Sequence, residues 1–202
     1  AAAVRGDVAA FRLACSDNTN SGTAMLQVHD HQHNSVLHAL FSCRAKDSEQ
    51  AMAEILEMIH TSSSADDLRK AYQGRNALGC NPLWILIAYG NIALLQKVLQ
   101  SLAAGSKEGE GYDDFWTPLL SQPNLQGDSP FLATCSQGNL DMVCYLHQRA
   151  NSQEQFQEMV TQANHKGTTP LQILVANGHA DVMEFLVEKT KLASFLGPWQ
   201  VY

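Results

Sequence analysis

His29, His31 and His33 alternate within His29-Asp30-His31-Gln32-His33, and alternate residues of an extended segment point the same way, so three imidazoles there could hold zinc or copper. No cysteine or fourth ligand lies at a supporting spacing. A hydrolytic trio can be assembled from Ser129, His147 and Asp141, but no nucleophile elbow or oxyanion glycine pattern accompanies it. The glycines do not form a strand-to-helix phosphate loop. Neither catalysis, nor a cofactor, nor a metal is therefore expected. Cys15, Cys43, Cys80, Cys135 and Cys144 are odd in number and contain no Cys-x-x-Cys pair. They read as buried thiols of a reducing compartment, the cytosol or nucleus.

What positions these groups is a chain of 202 residues, 45% hydrophobic and 16% charged, an ordinary balance for a folded domain. Thirteen Lys and Arg against 20 Asp and Glu give a formal charge of -7, which argues against direct nucleic-acid binding, a local patch around Lys166 aside. There is no secretory leader pattern and no apolar run near the roughly 20 residues of a membrane span, so no membrane insertion is expected.

The informative signal is internal repetition. Gly79-Cys80-Asn81-Pro82-Leu83, Gly127-Asp128-Ser129-Pro130-Phe131 and Gly167-Thr168-Thr169-Pro170-Leu171 are one phrase in three copies. Each is followed, eight residues after its proline, by Gly90, Gly138 or Gly178, and preceded by Asn76, Asn124 or Asn164. A fourth copy runs from Asp30 through Asn34 and Ser35 to Ala39, with Val36 in the proline slot and His33 in the glycine slot. A partial fifth survives at Gly6 to Phe11. Pro suits the first helical position, and Asn81, Ser129, Thr169 or Ser35 before it can cap the exposed amides. The later glycine permits a left-handed helix end. Beyond it apolar residues return at helical spacing: Ile92, Leu94, Leu95, Val98 and Leu99; Leu140, Met142, Val143 and Leu146; Ala180, Val182, Met183, Leu186 and Val187. In the fourth copy the second helix is predicted over Ser48 to Ile59.

Turn, short helix, glycine corner and longer helix, with these residues, closely resemble the ankyrin-repeat family. The resemblance covers most of Ala1 to Lys191 and implies an all-α solenoid of four to five helix-turn-helix units in a single domain, 1–202. The units lie near 1–15, 30–60, 76–103, 124–149 and 164–191. Stretches 16–27, 61–74, 104–122 and 150–163 are insertions, and 192–202, with Phe195, Trp199 and Tyr202, caps the last unit or leads onward. The proline slots stand 46, 48 and 40 residues apart, against about 33 in a standard unit. Ser62 to Tyr72 and Ser152 to Ala163 read as helices, while Gly105 to Gln122 reads as a loop. In that loop Thr117-Pro118-Leu119 is a decoy, and Tyr112, Phe115 and Trp116 either anchor a partner or tuck under the stack. The opening Ala1-Ala2-Ala3, in mid-repeat and without Met, leads us to expect part of a longer chain.

This resemblance implies a non-catalytic protein-interaction module that binds a protein partner on its concave face. An alternative is a regulatory or substrate-recruiting segment of a larger enzyme such as a ubiquitin ligase, of a channel, or of a bacterial effector; Ser35 to Leu40 is similar to repeats in the cytosolic parts of cation channels. The family's turn tips and first-helix ends correspond here to His31, Gln32, Asn34, Ala77, Leu78, Cys80, Leu125, Gln126, Asp128, His165, Lys166 and Thr168, with Tyr89, Gln137 and Asn177. Leu78, Leu125 and Tyr89 stand out, because apolar side chains at exposed sites call for a partner or a covering segment. The same register makes Asp30 a turn cap and His31 and Gln32 tip residues, which weakens the metal reading further. It also gives His38 a bridging role between units, at the position of Trp84 and Gln172.

Overall fold

The structure is a computed structural model of the 202-residue chain and describes residues 21–43, 49–104, 118–150 and 152–190. The partial unit at 1–15, the aromatic segment Tyr112 to Trp116 and the end 192–202 lie outside them.

Almost all of it is helix or turn. The helices are α1 (Ser21–Leu26), α2 (Val36–Phe41), α3 (Glu49–Ser62), α4 (Ala65–Gln73), α5 (Pro82–Tyr89), α6 (Ile92–Ala104), α7 (Pro130–Gln137), α8 (Leu140–Arg149), α9 (Gln153–Thr161), α10 (Pro170–Asn177) and α11 (Ala180–Thr190), with a further turn of helix at 118–121. Pro82, Pro130 and Pro170 open equivalent helices, where the missing N–H costs nothing. Before them the side chains of Asn81, Ser129 and Thr169 accept the amides of Trp84, Leu132 and Gln172. Gly90, Gly138 and Gly178 end these helices at φ of 76°, 67° and 75°.

First helices stack in one column, α2 on α5, α5 on α7 and α7 on α10, while second helices pair behind them, α3 with α6 and α8 with α11. A third set completes the stack. α1, α4, the turn at 118–121 and α9 each end just ahead of a turn-capping residue, Asp30, Asn76, Asn124 or Asn164. α1 packs on α3 and α4, and α9 packs on α7, α10 and α11. These extra helices share the core: Leu26, Tyr72, Leu119, Phe156 and Val160 are buried in the same apolar cluster as Leu37, Leu86 and Phe131.

Two expectations are corrected. Residues 118–121, expected within the loop Gly105 to Gln122, are helical. The helix expected from Ser62 begins after Ser64, whose Oγ accepts the Asp67 amide, because α3 runs on through Ser62.

His60 pins three helices: its Nδ1 lies 2.7 Å from Ser101 Oγ on α6 and its Nε2 lies 2.9 Å from Tyr72 Oη on α4. Burial pushes the imidazole down to about 4. The unfolded chain therefore binds the extra proton between about pH 6.5 and 4, and stability present above 6.5 is lost as pH falls through that window. The expected loss assigned to His60 is on the order of 2 kcal/mol. It would be read as the difference in pH slope of urea unfolding between wild type and His60→Gln, since Asp30 and Glu154, both held below their usual values, titrate in either protein.

Candidate functional site

The turns before the first helices build a continuous row of tips. In each, one side chain holds its own loop. Asn76 Oδ1 accepts the amides of Leu78 and Cys80, Asn124 those of Gln126 and Asp128, and Asn164 those of Lys166 and Thr168, all between 2.9 and 3.0 Å. Asp30 does the same for Gln32 and Asn34, and also accepts Asn34 Nδ2 at 3.1 Å. These bonds, those from Asn34 first, hold the Asp30 carboxyl below its usual value.

Successive tips are then hydrogen-bonded into a ladder. The Ala77 amide donates to the Gln32 carbonyl at 2.8 Å, Leu125 to Leu78 at 3.0 Å and His165 to Gln126 at 3.0 Å. Side chains reinforce it: Asn76 Nδ2 donates to Asn34 Oδ1 and Asn164 Nδ2 to Asp128 Oδ1. A second set of bonds runs from the first helices. His38 accepts the Ser35 amide on Nδ1 and donates from Nε2 to the Cys80 carbonyl at 2.9 Å, while Trp84 Nε1 donates to the Asp128 carbonyl at 3.0 Å. At the equivalent position Leu132 has no donor, and Gln172 Oε1 accepts the Thr169 amide within its own turn.

The tip glycines are seats. Gly79 stands at φ 76° with Leu125 against it, and Gly127 at φ 79° with the His165 ring and amide against it, so close that no side chain would fit. At Gly167, φ 77°, an added Cβ would meet nothing among the described residues within 4 Å. His33 occupies the glycine slot of the first tip at φ 59° and is the one non-glycine residue with positive φ among the described residues. His33→Gly is therefore expected to raise stability by up to about 1 kcal/mol in urea unfolding.

Of the fifteen residues assigned to binding, His31, Gln32, Ala77, Leu78, Leu125, Gln126, His165 and Lys166 are exposed on the tips. Tyr89, Gln137 and Asn177 are exposed at the helix ends, with Asn177 Nδ2 held by the Ser136 carbonyl. Asn34, Asp128 and Thr168 are half-buried, the first two engaged in the ladder. Cys80 is a correction. It is 1% exposed beneath the next tip, and burial pushes its thiol up to about 11, so it is neither a contact nor a nucleophile. Cys135 is pushed up to about 12 by burial in the same way. Leu78 at 61%, Leu125 at 65% and Tyr89 at 37% keep large apolar surfaces open, and Leu78 and Leu125 are neighbours through the ladder bond.

His29, His147 and Ser129 are each engaged by neighbours within the stack. His29 Nδ1 sits 2.7 Å from the Gln27 carbonyl, and among the described residues no three His, Cys, Asp or Glu side chains converge as a metal site would require. His147 packs edge-on against Phe156 and Phe185, while Ser129 spends its hydroxyl on the Leu132 amide.

The family model for ankyrin repeats, in three copies, matches residues 83–194. No curated protein matches the chain. No described helix is long and apolar enough to cross a membrane. Both the motif match and the tip ladder lead to one assignment: the chain belongs to the ankyrin-repeat family, whose members generally bind other proteins and are typically non-catalytic.

Proposed function

We propose that this protein is a non-catalytic scaffold that holds a protein partner along its tip row, with contacts from the ends of α5, α7 and α10. The supporting observation is the adjacent, solvent-open pair Leu78 and Leu125 on a surface whose backbone is fixed by the ladder. A rigid row with apolar side chains loses little entropy on docking, which favours affinity. The cytosol or nucleus is the proposed location, in keeping with the free thiols Cys80, Cys135 and Cys144.

The test is an affinity capture with wild type and with Leu78→Asp/Leu125→Asp, followed by mass spectrometry. Proteins recovered specifically by wild type should fall at least about tenfold with the double variant, as expected when a central apolar anchor is lost. Both sites are exposed, so circular dichroism and urea midpoints should agree between the two. Unchanged recovery with the fold intact would remove the tip-row assignment.

A further inference from the structure

We infer that residues 192–202 supply one more member of the third set, which lays the Trp199 ring on α10 over Val175 and Leu171.

In each earlier unit the stretch after the second helix reaches back to the first helix of the same unit. Tyr72, beyond α3, stacks on Phe41 of α2 with 6.3 Å between centroids. Leu119, beyond α6, is buried, and its carbonyl accepts Asn81 Nδ2 at the start of α5. Phe156, beyond α8, meets Phe131 of α7 edge-on. Phe41 stands five residues after the proline slot and Phe131 one residue after it, and the same two positions of α10 hold Val175 and Leu171. Phe41, Ile87 and Cys135 are buried at the first position, and Leu37, Leu83 and Phe131 at the second. Val175, by contrast, is 62% exposed and Leu171 is only half-buried. The outer side of α10 therefore has the apolar residues of an interior helix without the cover its counterparts have, and such a surface calls for an occupant.

The chain beyond α11 starts in the right place and has the right side chains. Gln153 and Gln157 of α9 donate from Nε2 to the carbonyls of Lys189 and Thr190 at 2.7 and 3.3 Å, so α11 ends beside the third set. Tyr72 comes ten residues after the end of α3 and Phe156 seven after the end of α8; Trp199 comes nine after the end of α11. Residues 192–202 contain no Asp, Glu, Lys or Arg and include Phe195, Leu196, Trp199, Val201 and Tyr202. Attachment to α11 keeps this segment at high local concentration over α10, and burial of apolar surface drives it down.

The experiment is NMR of the full chain with methyl-labelled valine and leucine, the Val175 methyls being identified with Val175→Ala. Ring-shifted Val175 methyls in contact with the Trp199 indole are expected. Trp199→Ala should abolish the ring shift and speed hydrogen exchange of the α10 amides about tenfold. Val175 methyls at the shifts of an open side chain, without contact to Trp199, would overturn the inference. Contacts found only between differently labelled copies in a mixed sample would overturn it too, since the cover would then be a second molecule.

Discussion

Phe156→Ala is expected to cost about 3–5 kcal/mol of folding stability, although Phe156 lies in a helix that a standard unit does not have. The ring is 1% exposed, meets Phe131 edge-on at 5.8 Å between centroids and meets His147 at 4.5 Å. Its removal opens a cavity between the first helix of one unit and the extra helix leading to the next, and it forfeits aromatic contacts worth about 0.5–1.5 kcal/mol each. Urea unfolding followed by circular dichroism should show one transition moved to lower urea. A shift below about 1 kcal/mol, or a separate early transition, would mean that α9 is an appendage.

Gly127→Ala should cost about 2–4 kcal/mol, and Gly167→Ala only about 1 kcal/mol, though both glycines stand at nearly the same φ. Left-handed strain is common to the two. At Gly127, however, a Cβ would lie 2.7 Å from the His165 amide and 2.6 Å from the ring, so the His165 to Gln126 rung must break. At Gly167 the space is open. The difference between the two variants, measured in parallel urea titrations, isolates what one rung contributes; equal losses would show that the rung contributes nothing.

The first helices were legible because each residue of their phrase has a local cause: a cap, a proline that needs no donor, a glycine that accepts positive φ. The bridging role implied for His38 held for the same reason, since its position is fixed relative to Val36 and the next tip. Extra helices were harder. Ser62 and Ser64 look alike as helix starters, yet Ser62 Oγ bonds back to the Met58 carbonyl at 2.5 Å inside α3 while Ser64 caps α4. Pro118-Leu119 lacks the phrase around it because it belongs to the third set of helices, where burial of Leu119 and the bond from Asn81 Nδ2 to its carbonyl at 3.0 Å decide the matter. Cys80 was misplaced on the surface because sequence position gives a residue's place within one unit, and its burial comes from the neighbour above.

His33 stands where later tips have glycine, and the residue placed above it by the ladder is Ala77, whereas Leu125 and His165 rise above Gly79 and Gly127. Bulk at one level is matched by smallness at the next, so each storey is cut to fit the one beneath it. An exchange that set the third or fourth tip directly above the first would put a leucine or an imidazole over the His33 side chain, so the first two storeys are matched as a pair while the glycine tips beyond them are alike.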